Sequence, residues 1–343
     1  MFNTFALTII YSAFFWWLNK NKLTPKRISP QTFHKKPTSR MGGTAIMLAL
    51  LTNIYIFRDS SIEYPYFSLF LLCSIPVYLT GLLDDLFFDI KPWQRLLLMI
   101  PTPIFFFYVA DLRVESVDIQ AIDWLLQYEI IALIFLIFAF VGIVNAFNII
   151  DGFNALLLTY CISIGLAIFT TTSSIESTAV NYLSILIITM ASMLLLNAFG
   201  KIFLGDAGAY LLGSLIASGL IIFQQNSEYS PWFVMLMLMY PTTEVIISFV
   251  RKVFFRNKSA LEPDGLHFHM LIYKRISKKI GFRKVRLRHL IVTLFIFLLN
   301  FPFMIFANIF AKDSNALILF CLWYLLVYSM IYLILLPKYI FKK

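Results

Sequence analysis

Long apolar runs, each closed by a short polar stretch, follow one another along the whole chain, at approximately 2–18, 42–57, 66–83, 96–110, 128–147, 155–171, 180–198, 207–223, 231–250, 289–310 and 316–336. Each could cross a hydrocarbon core of roughly 30 Å as a helix, the longer ones with some tilt and the shorter ones with a boundary shifted by a few residues. The pattern predicts an all-α polytopic integral membrane bundle of about 11 transmembrane helices, or ten if one of the weaker runs, the second or the fourth, is not a span. No internal repeat or low-complexity segment interrupts the series, so residues 1–343 read as a single membrane-embedded domain.

Composition agrees with the pattern. The chain is 60% hydrophobic and 13% charged, and its 36 Phe exceed what a soluble core of 343 residues needs. Charge then orients the bundle, because cytoplasmic loops keep their Lys and Arg. With the N-terminus outside and the C-terminus cytoplasmic, inner segments hold 25 of the 28 basic residues, and only Arg58, Arg113 and Lys312 fall outside. The first run is followed, not preceded, by basic residues, the reverse of a cleaved secretory signal, so it is expected to stay as a span. The net charge of +10 is spread over juxtamembrane segments and forms no soluble basic module. Membrane lipid headgroups are therefore the expected partner, and nucleic acid is not. Cys73, Cys161 and Cys321 fall inside apolar runs without metal-ligand spacing and read as small core residues.

Two polar segments carry structure of their own. The long basic cytoplasmic segment 251–288 contains Phe268, Leu271, Ile272, Ile276 and Ile280 at helical spacing, with Lys274, Arg275, Lys278 and Lys279 opposite, an interfacial amphipathic helix. The outer segment 111–127 is short and acidic, and its Val114, Val117, Ile119 alternation outlines a small hairpin.

Candidate chemistry gathers at the ends of the apolar runs. In "GLLDD", Gly81–Asp85, two adjacent carboxylates close a run that begins near Tyr66. Such a pair is costly in hydrocarbon and belongs at the interface, where Asp84 and Asp85 can hold Mg²⁺, or one can act as a base while the other tunes it. The bland reading is a pair solvated by headgroups and by Lys91 or Arg95. "NAFNIIDG", Asn145–Gly152, gathers amides around Asp151, for which a local turn is the plain alternative. "FLGDAG", Phe203–Gly208, sets Asp206 between glycines at a helix N-terminus, where small residues admit a phosphate or metal, or where Asp206 serves only as a cap. Phe203 beside it can stack on a base. His267 and His269 in "HFH" point to different sides if both are helical, so a shared ligand requires them to precede the helix. They can donate to a phosphate, and no further Cys or His completes a zinc shell. All four stretches land on the cytoplasmic side of a topology built without them.

Together these stretches resemble the polyprenyl-phosphate N-acetylhexosamine-1-phosphate transferase family, glycosyltransferase family 4. Its members include phospho-N-acetylmuramoyl-pentapeptide transferase and undecaprenyl-phosphate GlcNAc-1-phosphate transferase. The match covers most of the chain and rests on "KPTSRMGG" at Lys36–Gly43, "LLDDLFFDIKPWQR" at Leu82–Arg95, "NAFNIIDG", "IFLGDAG" and "PDGLHFHMLIYKR" at Pro263–Arg275. The resemblance implies transfer of a sugar 1-phosphate from a UDP-sugar to undecaprenyl phosphate in the bacterial cytoplasmic membrane, with release of UMP. It implies Mg²⁺, with Mn²⁺ as a substitute, and allows a homodimer.

Residue by residue, the resemblance places Asp206 on the metal together with Asp151, and Asp84 and Asp85 at the reacting phosphates. It places Asn145, Asn148, Asp151 and Phe203 near the nucleotide, and His267, His269 and Arg275 near the phosphate or sugar. Two positions depart from the pattern: many relatives read "DGxDGL" where this chain has Asp151-Gly-Phe-Asn154-Ala155-Leu156, and many carry a further histidine where it has Met270. Rival classes fit less well. A transporter or lipid flippase would place its charges at mid-span, where only Glu244, beside Pro241, comes close. A CDP-alcohol phosphotransferase would carry its carboxylates in one dense run that is absent here.

Overall fold

The computed structural model describes residues 2–20, 38–57, 65–87, 90–171, 177–225, 227–255, 265–280 and 285–336. Lys36, Pro37, Phe88, Asp89, Pro263 and Asp264 of the motifs above lie outside the described residues. Every element among the described residues is helical. In chain order these are α1 (Phe2–Lys20), α2 (Gly42–Phe57), α3 (Pro65–Cys73), α4 (Ile75–Phe87), α5 (Pro92–Met99), α6 (Pro101–Val109), α7 (Gln120–Leu126), α8 (Glu129–Ile150), α9 (Leu156–Thr171), α10 (Ser177–Ala198), α11 (Gly205–Gln225), α12 (Pro231–Met237), α13 (Met239–Val250), α14 (Phe268–Ile280), α15 (Val285–Ile309) and α16 (Ser314–Leu335). All eleven apolar runs are helical along most of their length. Four helices, α8, α11, α15 and α16, are each long and apolar enough to cross a membrane, and six spans result if α3 with α4 and α12 with α13 each count as one bent span. Shorter apolar helical stretches lie in α1, α2, α9 and α10, at Asn3–Leu18, Gly42–Ile56, Leu156–Thr170 and Tyr182–Ala198.

The bends have a local cause. α3 and α4 meet at 47° just ahead of Pro76, and α12 and α13 meet at 72° just ahead of Pro241. A proline has no N–H for the carbonyl four residues back, and its ring crowds that carbonyl. The carbonyl so released by Pro241 is that of Met237, and it accepts the Tyr160 hydroxyl at 2.7 Å instead. A buried backbone acceptor is thus satisfied from a neighbouring helix, as an apolar surrounding demands.

The bundle is organised around α11, which is buried from Gly205 to Ile221. Its small residues let α2, α4 and α8 approach closely. At Gly81 of α4, an added Cβ would lie 2.4 Å from the Ala207 nitrogen, so the two backbones touch there. The Ser74 and Ser214 hydroxyls, 2.6 Å apart, and the Tyr182 hydroxyl, which donates to the Leu215 carbonyl at 2.7 Å, fasten α11 further along.

The outer segment corrects one expectation. Residues 111–119 form no hairpin, and α7 follows directly. Asp123, in the first turn of α7, accepts from the Val117 N–H at 2.7 Å and the Ser116 hydroxyl at 2.9 Å, which closes the segment into a loop. These local side-chain acceptors outweigh the weak alternation, since two short strands with no third partner have little to hold them. The predicted amphipathic helix is present as α14, but residues Phe268–Tyr273 are buried against the protein. Cys73, Cys161 and Cys321 are buried and free, as expected.

Candidate active site

The polar end of α11 is assembled by backbone pairing. Phe203 N–H donates to the Ser39 carbonyl at 2.8 Å, Gly42 N–H to the Phe203 carbonyl at 2.9 Å and Gly43 N–H to the Leu204 carbonyl at 2.8 Å. "TSRMGG" and "IFLGD" therefore run side by side, which hangs Arg40 over the start of α11. Gly205 takes φ +75°, a left-handed conformation that a side chain resists, and an added Cβ would lie 2.2 Å from the Arg40 carbonyl. This turn sets Asp206 in the first turn of α11.

Three carboxylates from two helices meet there, bound by two arginines. Arg40 donates from Nε to Asp85 Oδ1 at 2.7 Å and from Nη2 to Asp206 Oδ1 at 2.6 Å. Arg95, from α5, donates from Nη1 to Asp84 Oδ2 at 3.2 Å and stands 3.6 Å from Asp206 Oδ2. Asp84 and Asp85 are 1% and 3% exposed, Asp206 7%. Burial opposes the Arg40 charge, but Asp206 and Asp85 outweigh it and hold the guanidinium above its ordinary value.

The cap reading of Asp206 is answered by another residue. Asp85 Oδ2 accepts the Ala207 N–H at 3.0 Å, so the free N–H groups that open α11 are served across the bundle by α4. The Asp206 carboxylate pairs with both arginines. Arg95 is more than a solvating neighbour, since it bridges Asp84 to Asp206.

The "NAFNIIDG" stretch reaches the same place. Asn148 Nδ2 donates to the Tyr210 hydroxyl at 3.2 Å, and that hydroxyl lies within reach of Arg95. Asp151 ends α8 near Arg40, Asp85 and Asp206. It is recessed but keeps part of its surface. Desolvation pushes its carboxyl well above the ordinary value, Arg40 pulls it down, and Asp206 and Asp85 push it up again. Asn145 and Phe203 are half-buried on the flanks. At the departure, the Asn154 backbone is tied to α15, its N–H donating to His289 Nδ1 at 3.3 Å and its carbonyl accepting the Thr293 hydroxyl at 3.0 Å, while its side-chain Nδ2 lies 3.1 Å from where a Cβ on Gly200 would stand.

His267 and His269 share one protein partner, Glu244, although only His267 precedes α14. Both Nδ1 atoms face Glu244 of α13, at 3.2 and 3.3 Å. His267 lies outside the helical register, which allows both rings onto one side. Burial holds His269 below its ordinary value, with Glu244 opposing. Arg275 is exposed on α14 and makes no ion pair among the described residues. Arg40, Arg95, Tyr210 and Glu244 are the site residues that sequence reasoning did not assign. "KPTSRMGG" and "PWQR" carried the signal for the first two.

Oxygen donors of this kind suit a hard cation such as Mg²⁺, which needs one or two carboxylates and takes the rest of its shell from water and substrate phosphates. Among the described residues no three His, Cys, Asp or Glu side chains form a cage that would hold a metal without such help.

Fold and site define a helical membrane protein with an acidic, arginine-bridged centre at one end of its bundle. The sequence model of glycosyl transferase family 4 matches residues 67–224. The chain is 30% identical over 275 residues to the undecaprenyl-phosphate alpha-N-acetylglucosaminyl 1-phosphate transferase of Thermotoga maritima, covering 80% of each chain. It is 26% identical over 242 residues to the Yersinia pestis protein of that name, covering 68% of this chain and 65% of the other. Against the phospho-N-acetylmuramoyl-pentapeptide-transferase of Streptococcus thermophilus it is 26% identical over 216 residues, covering 56% and 63%. The chain belongs to glycosyl transferase family 4 and is a membrane-embedded transferase.

Proposed function

We propose that this enzyme transfers an N-acetylhexosamine 1-phosphate from a UDP-sugar to undecaprenyl phosphate, releasing UMP, as the initiating step of a cell-envelope glycan. The observation that carries the reading is the set Asp84, Asp85 and Asp206 bridged by Arg40 and Arg95 at one end of α11. Two arginines are phosphate counter-ions, and carboxylates beside them can accept a proton or hold a cation. The names of the relatives supply the acceptor and the class of reaction.

In this reading Arg40 and Arg95 leave their carboxylates to bind the donor diphosphate and the lipid phosphate. Asp84 or Asp85 takes the proton of the lipid phosphate. A phosphate oxygen then attacks the β-phosphorus of the donor, and the bond from that phosphorus to the bridging oxygen breaks, that oxygen leaving with UMP. Asp206, with Asp151, would hold Mg²⁺ or Mn²⁺. The ion would offset repulsion between the two phosphate-bearing substrates and stabilise the departing charge. Asn145, Asn148 and Asp151 bind the nucleotide, Phe203 stacks on the base, and His267, His269 and Arg275 serve the sugar end.

Purified protein with undecaprenyl phosphate and Mg²⁺ is expected to turn over one or more members of a panel of UDP-N-acetylhexosamines, read as UMP released. Absence of turnover with every donor, in a folded sample, would count against the reading.

The reading also places the site on the cytoplasmic face of the bacterial cytoplasmic membrane in an eleven-span topology. The basic-residue asymmetry supports it. A cysteine introduced near Asp118 is then expected to react with an impermeant reagent added outside, and a reporter fused after Lys343 to stay in the cytoplasm. Labelling of Arg256→Cys or Lys278→Cys from outside would reverse the orientation.

A further inference from the structure

Glu244 is buried in the bundle, 2% exposed, one turn beyond the bend at Pro241. It meets three groups of the turn that opens α14. His267 Nδ1 lies 3.2 Å from Oε2 and His269 Nδ1 lies 3.3 Å from Oε1, while Phe268 N–H reaches the two oxygens at 3.1 and 3.3 Å. The two imidazole rings are parallel within 3°, with centroids 5.6 Å apart. An imidazole nitrogen that faces a carboxylate carries the hydrogen, and the other nitrogen of a neutral ring is then bare. His269 Nε2, on the edge away from Glu244, is buried with no hydrogen-bond partner. It lies 3.0 Å from where a Cβ on Gly152 would stand, next to Asp151. The Tyr240 hydroxyl, 3.0 Å from His269 Nδ1, braces the opposite edge of the ring, the one that faces Glu244, from α13.

We propose that Glu244 is a positioning residue for the transferase: it fixes both histidines as Nδ1–H tautomers and turns their Nε2 atoms toward the Asp151 loop as hydrogen-bond acceptors. The inference rests on the transferase reading for its substrate. A bare Nε2 cannot donate to a phosphate, so the ring partners are O–H or N–H groups of the bound sugar nucleotide. This reverses the donor role expected from the sequence. The bend at Pro241 gains a purpose, since it carries Glu244 out of the line of α12 and up to the start of α14.

The test separates this role from simple packing. Glu244→Gln keeps the shape but offers one oxygen and one NH₂. One imidazole then faces a donor and must move its hydrogen to Nε2. We expect kcat to fall about 10²-fold, the upper end of what losing a partner that orients a histidine costs and short of the ~10⁴ lost when the Asp of a serine-protease triad becomes Asn, with KM for the UDP-sugar changed far less. Glu244→Asp, which keeps the charge, should recover at least about ten-fold of that loss.

¹⁵N spectra of histidine-labelled wild-type protein should show His267 and His269 protonated at Nδ1, and Glu244→Gln should convert one of them. Wild-type rings protonated at Nε2, a Glu244→Gln variant of near-normal kcat, or an Asp variant no better than Gln would each overturn the proposal. Should Glu244→Gln fail to fold, the wild-type spectrum alone decides. If wild-type protein turns over no UDP-sugar, the transferase reading fails, while the tautomers still report on Glu244.

Discussion

Asp206→Asn is expected to leave the protein folded and to lower turnover by at least about 10²–10³, the usual worth of one charge stabilising a transferring phosphoryl group. Stability should hold because each arginine keeps a carboxylate: Arg40 remains 2.7 Å from Asp85, and Arg95 remains 3.2 Å from Asp84. Asn can still accept a hydrogen bond where Asp206 Oδ1 now does. The helix opening is unaffected, since the Ala207 N–H is bonded to Asp85 and not to Asp206. What disappears is one negative charge between two arginines. If that charge holds a metal, the loss should be largest at low Mg²⁺ and partly recovered at high Mg²⁺. Turnover against Mg²⁺ concentration, with the unfolding midpoint in the same detergent, checks this. Near-normal turnover at low Mg²⁺ would take Asp206 out of the site. Asp84→Asn and Asp85→Asn are expected to be severely impaired as well.

Gly81→Ala should damage activity and stability together. The new methyl would stand 2.4 Å from the Ala207 nitrogen and 2.5 Å from its Cα, both backbone atoms that cannot swing aside. α4 must back away from α11, at a cost of about 1–3 kcal/mol for overpacking. Gly81, Asp84 and Asp85 lie at helical spacings of three and four, so they share one face and move as a unit. A shift of even half an ångström would loosen the bonds from Asp85 to Arg40 and to Ala207. Gly142→Ala is the control, because nothing lies within 4 Å of a Cβ there. The unfolding midpoint and turnover should both fall for Gly81→Ala and stay level for Gly142→Ala. Equal behaviour of the two would show that the close approach of α4 and α11 is not what holds the acids together.

These two positions also show what was legible in the chain. Asp84, Asp85, Asp151 and Asp206 stand out because a carboxylate that closes an apolar run is costly and needs a reason. Arg40 does not stand out, because it sits in a basic segment where the inward placement of positive charge already explains it. Its role depends on the pairing of residues 39–43 with 203–204, a contact across more than 160 positions that no local pattern encodes. Arg95 was visible as a neighbour of the acid pair, but its reach to Asp206 depends on how α5 turns back. Glu244 drew notice as a charge near mid-span, but its two histidine partners lie more than 20 positions further on and meet it only through the bend at Pro241. The bends themselves are written in Pro76 and Pro241, but their angles come from packing. The outer hairpin failed because Asp123 and Ser116 offer the backbone nearer partners than a second strand would.

The central claim is that sugar and phosphate travel together. A UDP-N-acetylhexosamine labelled with ³²P in its β-phosphate and ³H in its sugar, incubated with the purified protein, undecaprenyl phosphate and Mg²⁺, tests it most directly. Both labels are expected in the lipid fraction at equal stoichiometry, with unlabelled UMP left in the aqueous phase. Tritium in the lipid without ³²P would mean that the sugar moves alone and UDP departs, and that result would contradict the account.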